Sequence, residues 1–247
     1  MIKQLGITDL TRMQRGCVCI AGYDKDGICF RPTLPPPGIK EASLFADGQP
    51  MVFPFAVVEY DLICPRPQPP HSEDCDYDPA SVKFIRRVKD ENRERLLKIS
   101  LFENVQAIFD QTVHGDLGYY VMDGCGSRSI GTILPKEILK VKYEEDITGN
   151  WDYRLQFIDM QDQTYRLKIT DLTWQYYCDS QRNENHTSEQ IAQELSQMLQ
   201  SRQVYLRIGL SRGWAKYPDR CYLQVNAIHT FPGYLDGKTF ADFRPAR

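Results

Sequence analysis

Residues 5–12, Leu-Gly-Ile-Thr-Asp-Leu-Thr-Arg, and residues 206–212, Leu-Arg-Ile-Gly-Leu-Ser-Arg, echo one another from opposite ends of a 247-residue chain. Each ends in a hydroxyl residue followed by arginine. After a short gap each is followed by a second strand-like run, Arg15-Gly16-Cys17-Val18-Cys19-Ile20 and Arg220-Cys221-Tyr222-Leu223-Gln224-Val225. Apolar residues at alternate positions have the period of a half-buried strand, because successive side chains point to opposite faces. A further echo, Ile169-Thr170-Asp171-Leu172-Thr173-Trp174, lacks the gap. The recurrence predicts two related β modules rather than one irregular domain.

The intervening sequence is also mostly β. Residues 16–32 read as a hairpin turning at Asp24-Lys25-Asp26-Gly27, and residues 51–63 as an apolar strand whose Pro54 suits an edge or a bend. Further strands are expected over 129–143 and 151–174, the latter a hairpin turning near Gln161-Asp162. Two capping boxes announce amphipathic helices. Ser100 to Glu103 precedes Val105, Ile108 and Phe109, while Thr187 to Gln190 precedes Ile191, Leu195 and Leu199. Lys83 to Lys98 reads as a charged, solvated helix.

Five strands with one helix between the third and fourth is the pattern of an OB-fold, and an SH3-like barrel is its nearest alternative. The expected architecture is therefore mainly β: two tandem OB-like small β-barrels, each with one amphipathic helix. Apolar patterning lapses at residues 144–150. The expected modules are accordingly 1–147, with a helical insertion, and 148–247.

A net charge of −3 argues against a protein that coats duplex nucleic acid by bulk electrostatics, yet Arg12, Arg15, Arg31, Arg207, Arg212 and Arg220 lie in or beside the repeated strands. A hydroxyl next to an arginine supplies a neutral donor and a planar charged fork. Thr11 with Arg12, and Ser211 with Arg212, are thus candidate phosphate clamps, one per module. The loop Gly124 to Ser129 offers backbone N–H groups to an anion. Stacking platforms for bases are sought among Tyr23, Phe30, Trp174, Tyr176, Tyr177 and, above all, Trp214, which follows Arg212 in an apparent loop.

Other chemistries find less support. The eight cysteines include no pair at zinc-knuckle spacing and read as reduced thiols, so neither a metal nor a cofactor is expected. His71, Glu73, Asp74, Asp9 and Asp171 offer acid-base groups in no recognised catalytic motif. No run of eighteen apolar residues and no signal peptide stand in the sequence, so a cytoplasmic protein without membrane contact is expected.

The opening strand, Phe30-Arg31-Pro32, the loop Pro70-His71-Ser72-Glu73-Asp74, Gly126-Ser127-Arg128-Ser129-Ile130-Gly131-Thr132-Ile133 and the closing hairpin Leu206 to Val225 together resemble the dual OB-containing domain found in prokaryotic conflict systems. The resemblance spans essentially the whole chain. It implies two OB-like barrels and a non-catalytic role in binding or sensing nucleic acid or a nucleotide within a defence system, with Arg12, Arg31, Arg128 and Arg212 as the family's motif arginines. The expected ligand-binding set is Thr11, Arg12, Arg31, His71, Arg128, Arg207, Ser211, Arg212 and Trp214. Its expected partners are single-stranded nucleic acid or a nucleotide, together with a protein effector. The alternatives are an interaction scaffold serving a separate effector enzyme, and a hydrolase acting on a phosphorylated ligand.

Overall fold

A computed structural model describes residues 1–184 and 186–244. Strand β1 (Ile2–Arg12) buries Leu5 and Ile7 at alternate positions and, past a register shift between Ile7 and Asp9, Leu10, and it is long enough to pair twice. Residues 6–12 pair with β2 (Cys17–Tyr23), and residues 2–6 with β4 (Ala56–Pro65). β3 (Cys29–Thr33) continues from β2 through the expected turn, and β5 (Asp74–Tyr77) lies parallel to β3 and antiparallel to β4. The circuit β1-β2-β3-β5-β4-β1 closes a five-stranded barrel. Gly6 is the corner at which β1 passes from one partner to the other, and there Gly22 packs so closely that a Cβ on it would stand 2.6 Å from the Gly6 carbonyl oxygen.

The expected helix over 83–98 resolves into strand β6 (Lys83–Arg87), then helix α1 (Asp90–Lys98). The outer edge of β4 explains the difference, because its exposed backbone groups are satisfied by β6. The helix begins only where Asp90 and Glu91 complement its N-terminal dipole. The helix predicted from Ser100 is the short α2 (Val105–Phe109), capped by Asn104 instead, whose side chain accepts from the Ala107 N–H at 2.9 Å.

After β7 (Tyr119–Met122) come β8 (Ile130–Ile133), β9 (Glu137–Glu145), β10 (Trp151–Ile158), β11 (Thr164–Ile169), helices α3 (Leu172–Asn183) and α4 (Ser188–Gln200), β12 (Gln203–Leu210) and β13 (Arg220–Phe231). The pairing runs β8-β12-β13-β11-β10-β9, with β11 and β13 parallel, and β8 leads back into β9 through Leu134-Pro135-Lys136. This is the circuit of the first barrel again, with a strand broken at Pro135 in place of continuous β1.

The echoed segments hold different places in their barrels. β1 is the first strand of one barrel, whereas β12 is the fourth strand of the other. Their likeness is one of alternation and ending, while the modules are related through topology. The third echo starts a helix, because Asp171 caps it by accepting from the Thr173 and Trp174 N–H groups at 2.8 and 3.2 Å.

Two further expectations change. Residues 144–150 are the end of β9 and the turn into β10, where Glu145 pairs with Trp151, so a boundary there would cut paired strands. The sheets change over between residues 87 and 101. The helices are unequally shared as well. The first barrel has only a 3-10 turn, Glu41–Leu44, between its third and fourth strands, whereas α3 and α4 both lie between β11 and β12.

Helix α3 compensates by serving both cores. Leu172 and Tyr176, one turn apart, pack into the first barrel's core, and Trp174 and Cys178, on another face, pack into the second. The α4 capping box forms as expected, and Ile191, Leu195 and Leu199 are buried beneath it. Among the described residues, no helix is long and apolar enough to cross a membrane.

Where the barrels meet, Arg207 of β12 is fully enclosed. Its Nε–H donates to Asp9 of β1 at 2.9 Å, and Nη1 donates to Tyr23 at 3.0 Å, Ser100 at 2.7 Å and Thr132 at 2.8 Å. Replacing Arg207 by methionine strands the buried Asp9 carboxylate. Urea unfolding of Arg207→Met should show a loss of about 3–5 kcal/mol, and Asp9→Leu/Arg207→Met should recover most of it, because removing both charges also removes the desolvation cost.

Candidate nucleic-acid interface

The paired hydroxyl and arginine residues do not act as clamps, for a geometric reason. Adjacent residues of an extended chain face opposite ways, so their side chains cannot converge on one ligand. Thr11 is buried, and its hydroxyl has no hydrogen-bond partner among the described residues. Arg12 points outward, donates to Gln175 Oε1 at 3.3 Å and stands 5.6 Å over the Tyr176 ring. Ser211 uses its hydroxyl to accept from the Tyr222 N–H at 3.0 Å, which ties down the start of the β12–β13 loop.

Several other expected ligand contacts are engaged inside the fold. Arg207 is enclosed by its ion pair. Arg31 donates to Asp74 at 2.5 Å and to the Ser129 hydroxyl at 3.1 Å, and Arg212 pairs with the other oxygen of Asp74. Ser129 in turn donates through its N–H and hydroxyl to Glu73, at 2.7 and 2.8 Å. Two guanidiniums and two carboxylates thus balance at the seam between the barrels. His71, only 1 % exposed, lies beside them, and burial together with the charges of Arg31 and Arg212 pushes its pKa down to about 3. Arg128 is half-buried, donates to the Ile108 carbonyl at 3.0 Å and lies 5.0 Å over Phe102. Among the aromatic candidates, Tyr23, Trp174 and Tyr176 are buried.

Arg212 and Trp214 lie instead at the edge of a different feature. Along β13, Cys221, Leu223 and Val225 point into the core, so Arg220, Tyr222 and Gln224 point outward. β7 pairs beside them and sets Tyr120 directly across from Tyr222. The rings continue in a row: His114 to Tyr120 at 5.3 Å, Tyr120 to Tyr222 at 5.7 Å, Tyr222 to Tyr217 at 6.4 Å and Tyr217 to Trp214 at 5.5 Å.

The Arg220 guanidinium lies over both Tyr120 and Tyr217, at 4.5 and 4.6 Å, and is anchored to Asp116 at 2.5 Å. Lys216 stands 5.3 Å over Tyr217. Trp214 ends the row with 52 % of its surface exposed, and the guanidinium of Arg212, two residues before it in sequence, is half-exposed. The loop that carries Trp214 closes only because residue 213 is glycine, since a Cβ there would stand 2.1 Å from the Pro218 carbonyl oxygen.

Of this row, sequence reasoning singled out Trp214 and noted Arg212 and Arg220, but missed His114, Tyr120, Tyr217 and Tyr222. The outward register of Arg220 and Tyr222 was a readable signal. The pairing of Tyr120 with Tyr222 was not, because it joins distant parts of the chain.

A family model described as a dual OB-containing domain matches residues 7–228 of the chain. No curated protein and no solved structure matches it.

The buried ionisable groups make stability depend on pH. Burial lowers His229 to about 4, so both His229 and His71 are neutral in the fold, whereas an unfolded imidazole takes up its proton near 6.5. Between those values the unfolded chain binds more protons, and stability falls as pH drops from 6.5 towards 4. Asp171, pushed up to about 7 by burial despite three backbone N–H donors, works in the opposite sense, its contribution being lost as pH rises through 7. Two histidines outweigh one carboxyl. Urea midpoints should therefore fall between pH 6.5 and 4.5, and His71→Gln/His229→Gln should remove up to about 1.4 kcal/mol per pH unit for each histidine, enough to reverse the slope.

Proposed function

The chain belongs to the dual OB-containing domain family, and from that premise we propose that it is a non-catalytic binding module that takes single-stranded nucleic acid along the row from His114 to Trp214. The observation that carries this reading is the continuous line of aromatic rings, braced by Arg220 and open to solvent at Trp214. Every base has a flat π face, so such rings accept single strands with little regard to sequence, and each stacked base is worth about 1–3 kcal/mol. Lys216 supplies positive charge locally for phosphates, in a chain whose overall charge of −3 gives no help to duplex coating. A duplex hides its base faces and gains less from the rings. Binding without chemistry yields an output only through a second protein, so the reading includes an effector partner, and the conflict-system resemblance makes a defence effector the expected one.

Fluorescence anisotropy with labelled single-stranded DNA, single-stranded RNA and duplex DNA, at low and near-physiological salt, tests this. Single strands should bind saturably and more weakly at higher salt. Trp214→Ala should raise Kd by about tenfold or more, in line with the loss of one stacked base. Its thermal stability should stay near that of the parent, because the ring is exposed. Arg12→Ala should bind like the parent. Equal affinity for Trp214→Ala, Tyr222→Ala and the parent protein would refute the assignment.

A further inference from the structure

A second concave feature lies away from the aromatic row, between the barrels. The cavity, about 300 Å³, has one wall from the first barrel at Phe53 to Phe55 and Arg87, another from Thr173 on α3, and a third from the end of β13 and residues 232–240. That volume is at the lower bound of small-molecule sites.

Three observations distinguish it from a packing gap. Phe55, a bulky residue, has φ +67°, a left-handed conformation that L side chains rarely adopt. Two hydrogen bonds hold it there, its N–H donating to the Ile7 carbonyl and its own carbonyl accepting from the Val88 N–H, each at 2.7 Å. The result sets the Phe55 ring 4.7 Å from the His229 ring and 5.2 Å beneath the Arg93 guanidinium, as a firm aromatic wall.

Thr173, which also lines the cavity, is only 3 % exposed, and its hydroxyl has no hydrogen-bond partner among the described residues. An unpaired buried hydroxyl costs free energy unless a ligand or water satisfies it. Two further aromatic residues, Phe231 and Tyr234, line the same cavity.

The cavity's charges point to a neutral ligand. Arg87, Arg93 and Lys238 share the lining with Asp90, Asp236 and the buried carboxyl of Asp171. Arg93 pairs with Asp90 at 2.8 Å, and Arg87 donates to the Gly237 carbonyl at 3.0 Å, so both guanidiniums are held by groups of the protein. The His229 Nε2–H donates to the Thr8 carbonyl at 2.9 Å, which leaves Nδ1 of the neutral ring as a bare acceptor. We propose that this inter-barrel cavity binds a small, uncharged, planar heteroaromatic molecule of nucleoside size, stacked on Phe55 and hydrogen-bonded to the Thr173 hydroxyl. Because both barrels contribute walls, such a ligand braces the junction between them.

Gly233 provides the direct test. It lies on the cavity's exposed side, its φ is outside the left-handed region, and a Cβ there would meet nothing within 4 Å. Leucine at this position fills the space without disturbing the backbone. Adenosine, guanosine, cytidine and uridine are titrated into the full chain, with saturation-transfer NMR and calorimetry as readouts.

At least one nucleoside should bind saturably to the parent, and Gly233→Leu should weaken it by tenfold or more. Thr173→Val should also weaken it about tenfold while leaving the unliganded protein at least as heat-stable as the parent, since only an unpartnered hydroxyl is lost. Trp214→Ala should bind the nucleoside unchanged, which separates this site from the aromatic row. The proposal is overturned if none of the four nucleosides binds, if Gly233→Leu and Thr173→Val bind as the parent does, or if Trp214→Ala abolishes nucleoside binding.

Discussion

The buried ion pair between Arg207 and Asp9 is the interaction on which the rest of the structure depends. Arg207 is on the fourth strand of the second barrel, and its guanidinium reaches β1 and β2 of the first barrel, Thr132 on the first strand of its own, and Ser100. A charge this deep is tolerated only when its donors are answered, and here several elements answer it together. The barrels are thereby held in one register. The Arg31–Asp74–Arg212 cluster and the hydrogen bond from the Arg12 N–H to the Thr170 carbonyl, at 2.7 Å, repeat this bracing elsewhere along the seam.

With the barrels held in this way, α3 can serve two cores at once. Its residues diverge by position, Leu172 and Tyr176 going one way and Trp174 and Cys178 the other. A first barrel that lacks its own α-helix between the third and fourth strands borrows closure from the second half, with Phe240 adding to it. The two halves are therefore not independent units joined by a linker. The inter-barrel cavity and the aromatic row are consequences of the same packing, the first lying between the halves and the second on the outer face of β13, which the core leaves exposed.

The arginines of the chain sort themselves by what covers the face of the strand that carries them. Arg207 lies on the face of β12 opposite the core residues Leu206 and Ile208, where the first barrel covers it, and becomes structural, whereas Arg220 points outward from β13 and props up tyrosines. Arg31 is drawn into the seam because β3 lies beside β5, where Asp74 waits. Identical side chains in echoed segments thus do unlike work. Burial and neighbouring acids, neither of them local properties, decide which guanidinium is free to meet a phosphate.

By itself the sequence determined what depends on local periodicity: the strands of the first hairpin, the turn near Gln161-Asp162, the Thr187 capping box, a mainly β architecture and the OB-like barrel count. Trp214 was legible as an exposed ring, because it stands in a polar loop after a strand. Only the tertiary structure decided where the sheets divide, that residues 83–87 become a strand at a free edge, that Asp171 starts a helix, and that Arg207 is enclosed while Tyr120 joins Tyr222 across the sheet. The physical reason is the range of the interactions. Alternation and capping act within a few residues and leave their mark on the sequence, whereas edge pairing, burial of charge and the meeting of distant rings depend on which segments the closed barrels bring together.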